Sequence, residues 1–172
     1  MEQVSESIVE GPPERGPGPE GAAPWPLSER PGFLARRMHQ IHVSLFAERC
    51  ADFRVTPLQY SLLSLLRQLG QADQTTIAEA VALDRTTTTG ALKRLAARGL
   101  VDRATSPTDR RAQICRLTAA GEALHGAMEA AAREAHARTV EALSEADQAH
   151  LIRLLRQVVA AHDDRMGEAD LG

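Results

Sequence analysis

"QTTIAEAVALDRTTTTGALKRLAARGLVDRATSPTDRRAQICRL", residues 74–117, decides the fold. Ile77, Ala78 and Val81 share one side of a short helix over about 74–81. After Ala82-Leu83, Asp84 reads as a capping residue. Leu92 and Leu95 then keep helical spacing as far as Arg98, and Gly99 stops the helix. Two β-like stretches follow, Leu100–Ala104 and Gln113–Leu117. They flank "TSPTDRRA", whose Ser106-Pro107 and Thr108-Asp109 have turn chemistry. The result is a hairpin with a polar, basic tip.

The second helix of this stretch is a poor one. Four threonines lose χ1 freedom and Gly90 loses backbone order, together about 3 kcal/mol of intrinsic propensity relative to alanine. Thr88, Ala91, Leu92 and Leu95 fall on its core face, and Arg85, Thr86, Thr87, Thr89, Gly90, Lys93 and Arg94 on or beside the outward face. A threonine hydroxyl reaches a phosphate or a base edge, and its methyl can meet a thymine methyl. Gly90 removes bulk where a backbone must come close. The plainer reading is that the threonines only solvate the helix. The charge distribution opposes it.

The chain has 172 residues and a net charge of −3. Residues 1–31 carry −4, residues 32–84 carry 0, residues 85–111 carry +5 and residues 112–172 carry −4. One short basic segment within an acidic chain marks where an anion docks.

Working outward, Thr56-Pro57 reads as an N-cap with proline at the first helical position. Leu58, Leu62, Leu65, Leu66 and Leu69 carry the helix to Gly70. Upstream, residues 33–53 read as a helix with Leu34, Met38, Ile41 and Leu45 as its stripe. Downstream, Thr118 caps an alanine-rich helix over about 118–142. Ser144-x-x-Asp147 opens another with Leu151, Leu154, Leu155, Val158 and Val159 along one side. The last two helices have more apolar surface than one thin chain covers, so pairing between two chains is expected. Residues 1–31 hold seven of the nine prolines and read as a disordered tail. Trp25 is its one large apolar group, either a stray tail residue or one that packs back on the domain.

The order helix, helix, helix, helix, hairpin, helix, helix is a mainly α fold with a small β-hairpin wing. Residues 74–117 form its winged helix-turn-helix core, and 32–166 a single domain. No apolar run reaches the length of a membrane span, and the acidic N-terminus lacks a signal-peptide pattern, so a cytoplasmic setting is expected. No His, Cys or carboxylate cluster has metal-ligand or triad spacing and no phosphate loop is present, so neither an enzyme nor a cofactor is expected.

"VTPLQYSLL", "LDRTTTTGALKRLAARGLVDR" and "SPTDRRAQICRLTAAG" together resemble the MarR family of bacterial transcriptional regulators over about residues 33–160. The resemblance implies a homodimer held by the helices over 33–53 and 118–166. It implies a repressor that grips a pseudo-palindromic operator in double-stranded DNA with two recognition helices and two wings. By the same resemblance Arg111 enters the minor groove, with Arg110 beside it, and Asp109 shapes the wing by pairing with a nearby arginine. Arg103 is either that arginine or itself a phosphate contact. Alanine at position 82 stands where the family often has glycine; a positive φ there would strain it by about 1 kcal/mol.

The resemblance also implies a small effector, an aromatic acid or phenol. Arg36, His39 and His42 follow one stripe of the first helix, and Tyr60 could add a hydroxyl. Surface or dimer-seam residues are the plainer reading of the histidines. A rival switch is oxidation of Cys50, between Arg49 and Arg54, whose charges would favour a thiolate; Cys115 reads as core filler. A helical adaptor dimer that binds no DNA is the remaining alternative.

Overall fold

The computed structural model describes residues 25–107, 109 and 112–169, with side chains described as far as His162. Most of the expected tail, and the wing-tip residues Thr108, Arg110 and Arg111, therefore lie outside the described residues.

Among the described residues, six α-helices and three short strands make up the fold. α1 spans Pro31–Arg49, α2 Pro57–Leu69, α3 Gln74–Ala80, α4 Arg85–Ala97, α5 Ala119–Thr139 and α6 Glu145–Ala169. β1 spans Gln71–Asp73, β2 Val101–Thr105 and β3 Gln113–Leu117. The sheet is antiparallel in the order β1-β3-β2, with Cys115 at its centre opposite both Ala72 and Arg103.

Caps explain most of the helix starts. At α2 a full capping box forms: Thr56 Oγ1 accepts from the Gln59 N–H, and the Gln59 side chain accepts from the Thr56 N–H. Asp73 opens α3, accepting from the Thr75 and Thr76 N–H groups. Asp84 opens α4, accepting from the Thr87 N–H at 2.8 Å. Ser144 accepts from the Asp147 N–H at the start of α6.

Three expectations are corrected. The segment read as tail includes a 3₁₀ turn over Leu27–Glu29, and α1 already begins at Pro31. α1 ends at Arg49 rather than at 53; a 3₁₀ turn over Ala51–Phe53 follows, and Arg54 takes the left-handed conformation with φ 52°. β1 was not expected. Ala82 also has φ 52°, so alanine bears the backbone strain expected of it there.

Phe46, Leu62, Leu63, Leu66, Ile77, Leu92, Leu95 and Met128 are fully buried and join α1, α2, α3, α4 and α5 in one core. Thr88 is 0% exposed among them, and its Oγ1 has no hydrogen-bond partner among the described residues. A desolvated, unpaired hydroxyl weakens a fold. Thr88→Val, which keeps the shape, is expected to raise stability by about 1 kcal/mol in urea unfolding. A loss of stability would show that the hydroxyl has a partner in solution.

α6 is different. Leu154, Leu155, Val158 and Val159 are all exposed, Val158 at 60%. Leu34 and Ile41 on α1 are exposed as well, so two of the three helices expected to pair between chains leave apolar side chains uncovered, while α5 buries Met128, Ala132 and Ala135. Trp25 is 61% exposed; Arg30 lies over its ring and donates to its carbonyl, so it does not pack back on the core.

Candidate nucleic-acid interface and effector crevice

The outward face of α4 is built by what its inward face gives up. Thr88, Ala91, Leu92 and Leu95 are buried, which turns Arg85, Thr86, Thr87, Lys93 and Arg94 to the exposed side. Gly90 lies between them, partly exposed; a Cβ built there would meet only the Arg94 guanidinium, at 3.6 Å. The fold therefore has no need of a glycine at this position.

The two hydroxyls flanking Thr88 are not equivalent. Thr87 donates its proton to Asp84 Oδ2 at 2.6 Å, so what remains outward is an oxygen that can only accept. Thr89 lies 3.0 Å from the side-chain amide of Gln74 at the start of α3. That amide also lies against the guanidinium of Arg103 on β2. Arg103 is thus placed against α3 and beside Cys115 in the sheet, half-buried rather than extended into solvent.

The base of the wing is closed by backbone bonds from the Ser106 N–H to the Ala112 carbonyl and from the Ala112 N–H to the Asp109 carbonyl. The Asp109 N–H also donates to Ser106 Oγ, which sits in a buried residue. At the far end of α4, Arg98 donates to the carbonyls of Arg54 and Phe53, at 2.6 and 3.0 Å.

A separate crevice opens between α2 and α5, with a volume of about 460 Å³. Tyr60, Ser64 and Arg67 line it from α2, and His125, Glu129, Arg133 and His136 from α5. A second lobe of about 440 Å³ shares Tyr60, Ser64 and His136 and extends to Val81 beyond α3. Tyr60 stacks on His125 with centroids 5.0 Å apart, and His42 of α1 stacks on His136 at 4.4 Å. Of the expected effector residues, Tyr60 lines the crevice and His42 reaches it through His136. Arg36 and His39 are exposed on α1, outside the lining of the single chain.

Sequence reading missed Ser64, Arg67, His125, Arg133 and His136. A signal existed: Tyr60, Ser64 and Arg67 step by 4 and 3, and His125, Glu129, Arg133 and His136 by 4, 4 and 3. Nothing local pairs two polar stripes that lie about sixty residues apart.

His125 is fixed in one tautomer. Arg67 Nη1 can only donate, so His125 Nδ1 accepts from it at 2.8 Å and Nε2–H donates to Ser64 Oγ at 2.9 Å. A second ring proton would set two donors face to face. Burial, with Arg67 adding to it, holds His125 below the usual histidine range. Burial also holds His42 and His136 below it, with the neighbouring histidine charges adding to the effect on His42. The unfolded chain, with histidines near 6.5, then binds more protons below neutrality, so stability is lost as pH falls through that value. Thermal denaturation should give a melting temperature that drops steadily from about pH 7.5 to about pH 5.5. A flat profile over that window would remove the histidines from the stability balance.

Cys50 departs from expectation. It is buried, and burial pushes its thiol up, away from the thiolate that Arg49 and Arg54 were expected to favour. Arg49 pairs with Glu134 and Glu48, and Arg54 lies in the left-handed turn.

Comparison with known proteins agrees with this architecture. Residues 55–112 match the model of the MarR family. The chain is 32% identical over 141 residues to the HTH-type transcriptional repressor NicR of Pseudomonas putida, covering 82% of this chain and 89% of that one. BpsR of Bordetella bronchiseptica, whose DNA binding is regulated by 6-hydroxynicotinic acid, is similar in structure, with a TM-score of 0.75 and 33% identity over 80% of this chain and 98% of that one. The PcaV regulator of Streptomyces coelicolor, solved with its natural ligand, has a TM-score of 0.71 and 32% identity over 81% and 99% of the two chains.

Proposed function

The chain belongs to the MarR family, and from that premise we propose that it is a homodimeric repressor that binds a pseudo-palindromic operator and leaves it when a small aromatic acid binds. The observation that carries the reading is the outer face of α4. Short hydroxyls and a glycine are displayed between Arg85 and the Lys93-Arg94 pair, at a cost in helix propensity that the fold does not require.

Arg85, Thr86, Thr87, Thr89, Gly90, Lys93 and Arg94 face the major groove in this reading, with Arg103, Asp109, Arg110 and Arg111 serving the wing. The exposed stripes of α1 and α6 support a dimer. Two chains that cover Leu34, Ile41, Leu154, Leu155, Val158 and Val159 remove that surface from water.

The α2–α5 crevice is the effector site of this reading. Tyr60 and His125 offer stacked aromatic walls, and Arg67 and Arg133 offer cations balanced by Glu129. His42 extends the site from α1 through its stack on His136, whereas Arg36 and His39 lie outside the crevice of the single chain. Aromatic acids, 6-hydroxynicotinic acid among them, are the first compounds to test, because a ligand that binds only the folded state raises its melting temperature. Buried Cys50 gives the redox alternative no accessible thiol.

The test is titration of a labelled duplex, selected by the protein from a random pool, at several salt concentrations. Log affinity should fall linearly with log salt, by about 0.9 for each phosphate neutralised. Arg111→Ala should lower affinity about tenfold while the protein stays folded. Salt-independent binding, or full cellular activity after the +5 segment is neutralised, would favour the adaptor instead.

A further inference from the structure

The amide of Gln74 stands between a group that can only donate and a hydroxyl that can do either. Arg103 is always protonated and offers N–H groups alone. Amide nitrogen against guanidinium would oppose donor to donor, so Gln74 Oε1 must face Arg103. In that orientation it accepts from Arg103 Nε at 3.1 Å and from Nη2. The amide nitrogen is then left to donate to Thr89 Oγ1 at 3.0 Å. The hydroxyl of Thr89 accepts this bond and has no other among the described residues, so its own proton is still to be given.

We propose that Arg103, acting through Gln74, sets Thr89 as a hydrogen-bond donor toward the operator, so that this position of α4 reads an acceptor on a base edge. Purine N7, guanine O6 and thymine O4 are such acceptors in the major groove. Thr87, two residues earlier, has the opposite polarity, because its proton is spent on Asp84. Two identical side chains on one helix thus present different chemistry, Thr87 set by its own helix cap and Thr89 by residues of α3 and β2. Arg103 and Gln74 are positioning residues here, and only Thr89 touches DNA. The proposal rests on the DNA-binding reading above.

The experiment uses the full-length protein, a duplex selected by it from a random pool, and a scrambled duplex of the same composition. Thr89→Val, which removes the donor, should lower the ratio of selected to scrambled affinity about tenfold, and Thr89→Ser should keep it. Gln74→Glu has only acceptors to offer, so it keeps Arg103 and draws the Thr89 proton inward. It should lower the ratio about as much as Thr89→Val. The double variant should be no worse than either single one, because both remove the same donor. Multiplying effects, an unchanged ratio in Thr89→Val, or an equal loss on both duplexes would each overturn the proposal; the last would mark a phosphate contact. If the native chain does not distinguish the two duplexes, the DNA-binding reading fails and the proposal with it. Should Gln74→Glu melt far below the native chain, Arg103→Met tests the same link and should lower the ratio without adding charge at Gln74.

Discussion

Gly121→Ala is expected to lower the stability of the protein by about 3 kcal/mol or more, the upper end of what one added methyl does in a packed site. A Cβ on Gly121 would overlap the carbonyl oxygen of Leu100 and lie 3.4 Å from Leu117 Cδ2. Neither the helix nor the strand can yield easily. The Leu100 carbonyl accepts from the Thr118 N–H, Thr118 Oγ1 donates to the Gly99 carbonyl, and the Gly121 N–H returns to Thr118 Oγ1. One threonine and one glycine thus pin the start of α5 to the end of α4. Thermal denaturation should show a drop of roughly 6–12 °C for a chain of this size. Gly126→Ala is the internal control. It lies on the same helix with nothing within 4 Å, and the same change there should stabilise by up to about 1 kcal/mol. Equal effects at the two positions would show that the close approach to Leu100 does not matter.

Gly90→Leu should move stability and operator affinity in opposite directions. Leucine is a better helix former than glycine by about 0.8 kcal/mol, and the only atom near the new Cβ is the end of the flexible Arg94 side chain. The free protein should therefore melt at the same temperature or slightly higher. On the selected duplex the affinity should fall about a hundredfold, because a bulky group at this point holds the flanking threonines and arginines away from the groove. A variant that melts higher and binds as well as the native chain would place the DNA face elsewhere. If it melts lower, the glycine has a packing role that the position of Arg94 does not reveal.

How much of this was legible follows from where the information lies. Thr56, Asp84, Thr118 and Ser144 could be read as helix starts because a cap is a local bargain between a side chain and the next three N–H groups. Gly70 and Gly99 marked ends for an equally local reason, both having positive φ. The end of α1 was hidden because the left-handed residue there is Arg54, which carries no such signal. β1 was hidden because three residues with half-buried Ala72 at their centre have no period of their own; its pairing with β3 makes it a strand. The outer face of α4 could be read from helical spacing, while the polarity of its hydroxyls could not, since Gln74 and Arg103 reach Thr89 from other elements. The crevice was half legible: Tyr60 and His42 were expected, but Arg67 and His125 meet only through the packing of α2 on α5.

The Arg98 bonds to Phe53 and Arg54 give α4 a mechanical linkage that bypasses the core. A planar guanidinium gripping two successive carbonyls resists twisting as well as pulling. The left-handed corner that follows α1 and the trailing end of α4 are therefore tied together outside the core. A tilt of α1 would thus be felt at the end of α4 through a surface tie as well as through the buried leucines between them.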